Sequence, residues 1–256
     1  MRKLPNEVSF NGFREESAPS GLEIHAPQGY RERPSRVAGA VIWTRSGVAD
    51  TDIPVLPDGS MDLMWTDGGL SVAGPDTRAY HPPSGSSVEF AGIRFYPGTA
   101  PTFLGVPAHE LRDSRVELAD LWSPADTRRA LELVAAARNP AAGLEAVAQW
   151  RAAQADPVDP LVRGIVHALR AGTAVAEAAD ALELGARRLH RMSLSAFGYG
   201  PKTLSRVLRM QRALALARAG VPLADTAAYA GYSDQAHLTR DFRELSGLSP
   251  KQLLGN

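Results

Sequence analysis

Arg187, His190 and Arg191 stand at i, i+3 and i+4 in the stretch "GARRLHRMSLSAFGYGPK" (185–202). On a helix that spacing puts all three side chains on one face. Gln235, Ala236, His237 and Arg240 form a second set of the same kind. A guanidinium can bond guanine O6 and N7 through two donors, Gln can pair with adenine, and a small Ala can sit against a thymine methyl. Reading base edges in a major groove is the chemistry these residue types offer. The competing reading is a merely solvated charged face on a helical domain.

The placement of charge favours the first reading. The chain has 28 Lys/Arg and 28 Asp/Glu in 256 residues. Residues 157–256 hold 13 basic and 8 acidic residues, a net of +5, so residues 1–156 hold 15 and 20, a net of −5. No acid occurs from Leu184 to Leu223. A basic half beside an acidic half implies two domains with different partners.

The two sets also belong to a repeat. "GYGPKTL" (198–204) returns as "GLSPKQL" (247–253) at an offset of 49, which aligns Leu189 with Leu238 and Arg191 with Arg240. Upstream an offset of 48 aligns Val175 with Leu223 and Ala179 with Ala227. Each unit reads as a short helix, a tight turn and a second helix. In the first, Thr173 is the expected cap, Val175, Ala178, Ala179 and Leu182 the apolar stripe, "ELG" (183–185) the turn, and Ala186 the start of the second helix. In the second, "LADTAAYA" (223–230) precedes the turn and Ser233 is the expected N-cap. Between the units, "KTLSRVLRMQRALALARAG" (202–220) predicts a helix. Its Leu204, Val207, Leu208, Leu214 and Leu216 face both cores, and Lys202, Arg206, Arg209 and Arg212 are free to meet phosphates. Ser233, Thr239 and Arg243 complete the expected phosphate set. About 17 helical residues span roughly 25 Å, of the order needed to set two recognition helices one DNA turn, about 34 Å, apart.

The front half has another texture. "RVAGAVIWTR" (36–45), "MDLMW" (61–65), "LSVAG" (70–74) and "VEFAGIRFY" (88–96) read as strands, with turns at "PDG" (57–59), "DGG" (67–69) and "HPPSGS" (81–86). Helices are predicted over 123–139, capped by Ser123 and opened by Pro124, and over 142–154. "ADPVDP" (155–160) reads as a linker.

With these residues in view, "GYSDQAHLTRDFRELSGLSPKQL" (231–253) closely resembles the signature of AraC/XylS-type transcription regulators. "LHRMSLSAFGYGPKTLSRVLRMQRAL" (189–214) resembles the first unit and linker helix of a group common among actinobacteria. The resemblance implies base contacts by the two sets above, double-stranded promoter DNA as partner, and activation through RNA polymerase. Two positions depart from the pattern. Ser193 stands where many members have Phe, with Leu194 expected to supply the contact, and Gly185 replaces the usual capping Ser or Thr. "VLPDGSMDLMW" (55–65), "VAGPDT" (72–77) and "GIRFYPGTAPTFLGVPAHELRD" (92–113) more loosely resemble the front domain of the same group. In the wider family such domains are cupin-like barrels that bind an effector or dimerise.

Other chemistries lack their residues. There is no cysteine, so no disulfide, thiolate nucleophile or cysteine-ligated metal, and DNA-repair relatives of this helix-turn-helix type rely on a reactive cysteine. The six histidines, His25, His81, His109, His167, His190 and His237, show no metal-type spacing. Ser46 and the serines of 84–87 sit in no nucleophile elbow. No apolar run reaches the ~20 residues of a membrane span, and "MRKLPNEVSFNGFREES" lacks the apolar core of a signal peptide. A cytoplasmic location is expected, with no membrane partner, metal or cofactor.

The sequence therefore predicts an α+β chain in three parts. Residues 1–120 form a β-rich, cupin-like barrel or sandwich that senses or regulates, 121–158 a helical linker suited to homodimerisation, and 159–256 an all-α domain with tandem helix-turn-helix units. The function expected is that of a sequence-specific regulator, an activator under small-molecule control, and not an enzyme. Asp62, Trp65 and Arg94 are the expected effector contacts, with a salt bridge from Arg94 to Asp62 as the structural reading. The alternatives are a cupin-type enzyme with a helical adaptor and a DNA-binding protein without sequence preference.

Overall fold

The computed structural model describes residues 29–46, 54–82 and 89–255. The signal-peptide reading of the first residues, His25, the serines 84–87, and most of the expected turn at 81–86 lie outside the described residues.

Among the described residues six strands make one antiparallel sheet: β1 (Tyr30–Pro34), β2 (Ala40–Arg45), β3 (Met61–Thr66), β4 (Gly69–Ala73), β5 (Phe90–Phe95) and β6 (Arg115–Glu117), in the order β1-β2-β5-β3-β4-β6. β3 and β4 are joined through Asp67 and Gly68, both at positive φ (49° and 86°), the two-residue turn that matches the twist of a hairpin. Four strands fall where the alternation of the sequence puts them. The edge strands β1 and β6 were not expected. "YRERP" carries charge on both faces, and "RVE" is too short to show a period.

The front half is β-rich, as expected, but among the described residues its sheet neither closes into a barrel nor stacks on a second sheet. Helices cover the apolar face instead. They are α1 (Ala100–Leu104), a 3-10 helix (Ala108–Leu111), α2 (Leu118–Leu121), α3 (Pro124–Ala135) and α4 (Pro140–Ala152). Ile42, Leu63, Val72, Ile93 and Phe95 from the sheet, Leu144, Val147 and Ala148 from α4, and Ala130 and Val134 from α3 share one core. The helices expected as a linker suited to dimerisation share the core of the front domain. Once α4 buries that face, with α3 packed on α4, no second sheet is needed. Ser123 and Asn139 cap α3 and α4 with their side-chain oxygens, and Pro124 and Pro140 open the two helices.

The back half is helical: α5 (Pro160–Ala171), α6 (Val175–Ala181), α7 (Ala186–Phe197), α8 (Pro201–Arg218), α9 (Leu223–Ala230), α10 (Gln235–Ser246) and α11 (Pro250–Leu254). α6–α7 and α9–α10 are the two helix-turn-helix units, and α8 joins them. Leu204 and Leu208 enter the core of the first unit, and Val207, Met210, Leu214 and Leu216 that of the second. Gly198 and Gly247 end α7 and α10 in the left-handed region, and Pro201 and Pro250 open the helices that follow. The sequence repeat is thus a structural repeat.

Candidate nucleic-acid interface

α7 and α10 present the two expected base-reading sets. Arg187, His190 and Arg191 on α7, and Gln235, Ala236 and Arg240 on α10, are exposed. His237 is half-buried, with Nδ1 3.2 Å from Ser233 Oγ and its ring edge-on to Tyr232 at 5.1 Å. His190 leans toward the end of its own unit, so that a Cβ added at Gly200 would lie 3.3 Å from its ring. Leu189 and Leu238, at the matched apolar position, are buried and fix which face of each helix turns outward.

The starts of the helices differ. Asp234, not Ser233, is the N-cap of α10, and its carboxylate accepts from the backbone N–H of His237 at 2.7 Å. That bond first, then Ser233 and the N–H of Ala236, hold the Asp234 carboxyl below the ordinary carboxylate range against a small opposing effect of burial. Ser233 is left exposed beside it, with its hydroxyl donating to Asp234 at 3.3 Å. α7 starts on Gly185 with no side-chain cap. Thr173 does not cap α6 either. That helix starts one residue later, on Ala174, whose N–H donates to Glu177.

The expected phosphate set divides. Lys202 and Arg243 are exposed, and Thr239 is half-buried with its hydroxyl donating to Gln235 O at 2.9 Å. The arginines along α8 are not free. Arg206 donates through Nε to Asp241 at 2.8 Å, and its Nη2 lies 2.6 Å from Asp241 and 2.5 Å from Glu244. Arg209 reaches Asp241 at 3.2 Å and lies 4.4 Å over the ring of Tyr232. Arg212 donates to Arg170 O at 2.8 Å and Ala230 O at 2.6 Å, satisfying carbonyls at the ends of α5 and α9. Asp241 is 4% exposed and also accepts from the Tyr232 hydroxyl at 3.1 Å. It clasps α8, α10 and the turn between α9 and α10 together. Sequence reasoning passed over Asp241, although a lone acid on the apolar side of α10 facing two α8 arginines is a readable signal.

The expected effector residues do not converge. Strand alternation puts Asp62 and Arg94 on one face of the sheet and Trp65 on the other. Arg94 meets Glu32 at 3.2 Å, Asp62 at 3.4 Å and Asp58 at 3.8 Å, and Trp43 Nε1 donates to Asp62 at 2.6 Å. Burial pushes the Asp62 carboxyl up, and Arg94 works against that shift. The salt bridge from Arg94 to Asp62 is present. Trp65 instead lines a cavity of about 660 Å³ with Arg31, Arg45, Phe90 and Arg138 at the N-terminal end of α4. Beside it, Glu145 is 5% exposed and accepts from Arg33, Ser35 and the N–H of Arg36. Burial acts to raise its carboxyl, but those hydrogen bonds prevail and hold it below the ordinary range. Among the described residues no group of three or more His, Cys, Asp or Glu is placed to hold a metal. No helix there is long and apolar enough to cross a membrane.

Residues 178–256 match the family model of a helix-turn-helix domain, and residues 40–117 match a domain of unknown function, DUF6597. No curated protein matches the chain. Among solved structures, an apo variant of ToxT from Vibrio cholerae strain SCE256 is 11% identical over 87% of this chain and 99% of its own, with a TM-score of 0.47. ToxT from Vibrio cholerae O395 is 9% identical over 90% of this chain and 98% of its own, with a TM-score of 0.45. The last third of the chain is therefore an AraC-type helix-turn-helix domain, with a DUF6597 match in front of it, and that domain supports a DNA-binding role.

Proposed function

We propose that the chain binds double-stranded promoter DNA sequence-specifically, with α7 and α10 in successive major grooves. The observation that carries this is the matched pair Arg191 and Arg240, each exposed on the outer face of a recognition helix whose inner face is pinned by a buried leucine. Arg187, His190, Gln235, Ala236 and His237 complete base reading, and Lys202, Ser233, Thr239 and Arg243 meet phosphates. Arg206 and Arg209 serve the fold first and touch the backbone only at their exposed edges. Selection from randomised duplex DNA, followed by footprinting, tests the reading. Protected sites above competitor DNA are expected, and none would overturn it in favour of binding without sequence preference.

The functional division we favour falls at 153–159, with 160–256 as reader and the described residues from Gly29 to Ala152 as regulatory domain. An effector suited to the cavity beside Trp65 is an anion with an apolar body, because its lining sets Arg31, Arg33, Arg45 and Arg138 against Glu32 and Glu89, together with Phe90 and Trp65. Small aryl or alkyl carboxylates should raise the melting temperature where the matched amides do not, and equal behaviour would remove the cavity from the proposal. Self-association would use the outer face of α3, where Leu131 stands exposed. Activation through RNA polymerase follows from the family resemblance. Transcription from a promoter carrying the selected site, with and without the chain, decides its sign.

A further inference from the structure

The segment Pro75–Tyr80 of the front domain touches the C-terminal ends of both recognition helices. At its start, Pro75 packs on Gly198, the residue that ends α7. A Cβ there would lie 2.5 Å from Pro75 Cγ and 3.1 Å from Ala108 O, so only glycine permits the approach, at φ 81°. At its other end, the N–H of Ala79 donates to Leu245 O at 2.7 Å, satisfying a carbonyl in the last turn of α10 that has no partner within the helix. Four residue steps separate these contacts, and four steps span at most about 14 Å. The ends of α7 and α10 cannot separate beyond that reach unless one contact lets go.

The segment is fastened to its own domain through Pro75, Asp76, Thr77 and Tyr80. Asp76 takes two bonds from Arg115, at 2.9 and 2.7 Å, and that guanidinium lies 4.0 Å over the ring of Tyr80. Thr77 donates to Asp113 through its N–H at 2.6 Å and its hydroxyl at 2.9 Å. Asp113 in turn donates its N–H to Pro75 O at 3.2 Å while held at a left-handed φ of 57°. Tyr80 and Val55 exchange backbone bonds of 2.8 Å, which brings Leu56 onto the core of the second unit and Pro57 O onto Gln211 Nε2 at 2.6 Å. Tyr199, next to Gly198, is 2% exposed, with its phenol buried and unbonded.

We propose that Pro75–Tyr80 is a strut that sets the separation of α7 and α10, so that the front domain determines which half-site spacing the reader accepts, with Asp76 and Ala79 as positioning residues. This rests on the reading that α7 and α10 bind DNA. It gives "VAGPDT" and "HELRD", which the function above did not absorb, a shared task.

The full chain is tested on its selected site and on versions with one base pair added to or removed from the spacer. In the wild type each change of spacing should cost about tenfold or more in affinity. Ala79→Pro, which removes the donor to α10, and Asp76→Asn, which loosens Arg115, should cut that penalty to about threefold or less while changing affinity for a single half-site by less than about twofold. An undiminished penalty, or an equal loss on single half-sites and every spacing, overturns the strut. Circular dichroism checks folding, and Asp76→Asn carries the test if Ala79→Pro does not fold. A second readout needs no DNA. Spin labels on Ser195→Cys and Lys251→Cys, in a chain with no cysteine of its own, should give a narrow distance distribution that broadens in Ala79→Pro. An unchanged width overturns the strut. A wild type that selects no sequence sinks the DNA reading, while the label distances still decide the strut.

Discussion

The two helix-turn-helix units share one backbone plan and are held by different forces. In the second, Phe242 fills the core and Asp241 ties α10 to Arg206, Arg209 and Tyr232. In the first, the position matched to Phe242 is Ser193 and that matched to Ser246 is Phe197, so the aromatic and the serine have exchanged places one turn apart. Ser193 is 0% exposed with no partner for its hydroxyl, and Phe197, 1% exposed, supplies the missing apolar volume. Leu194, expected to do so, stays half-buried. Met192 stands where the second unit has Asp241, so the first has no clasp. It leans on the front domain instead, where a Cβ on Gly98 would come within 2.7 Å of Phe197. Both units meet the front domain, but only the second adds a charge clasp of its own, and the first relies on packing.

The largest expected effects test the exchanged aromatics. Phe197→Ala and Phe242→Ala should each cost about 3–5 kcal/mol in urea unfolding. A small loss for Phe197 would break the equivalence. Asp241→Ala should come next, at about 2–3 kcal/mol, the low side of the cost of breaking a buried ion pair because both arginines are partly exposed. It should also loosen α10 more than α7 in amide exchange, and equal loosening would deny the second unit its separate clasp. Arg191→Ala and Arg240→Ala should each cost about 1–3 kcal/mol on the selected site and relax one position of it. The same loss on random DNA would count against base reading.

A subtler contrast lies in acid. The Asp234 carboxyl is depressed in the folded chain, so its contribution is present above the unfolded value, about 3.9, and fades as pH falls through the lower folded value. Asp234→Ala should remove that acid limb from α10 and leave α7 unchanged, read by amide exchange between about pH 5 and 2.5. The smallest effect belongs to Gly185→Ser. A serine cap should stabilise α7 by a few tenths of a kcal/mol, and no gain would mean that the uncapped start is set by its surroundings.

What was legible in the sequence was local. The strand pattern of β2 to β5, the caps Ser123 and Gly185, and the helix start at Ala186 follow from periodicity and capping over a few residues. The outward faces of α7 and α10 followed too, because Leu189 and Leu238 must point inward. Free arginines on α8 did not survive, since a cation at helical spacing looks the same whether it faces water or Asp241, 32 to 35 residues away. Trp65 and Asp62 look adjacent along the chain, yet a period of two sends them to opposite faces.

By itself the sequence determined that two matched helix-turn-helix units carry an outward polar set on one helix face each, because repeat, capping and amphipathic period are written within some fifty residues. Only the tertiary structure decided how those units are held. The clasp at Asp241, the exchange of Phe197 for Ser193, and the reach of Pro75–Tyr80 across both helix ends all join residues far apart in the chain. Such contacts depend on which surfaces meet, and local pattern does not encode that.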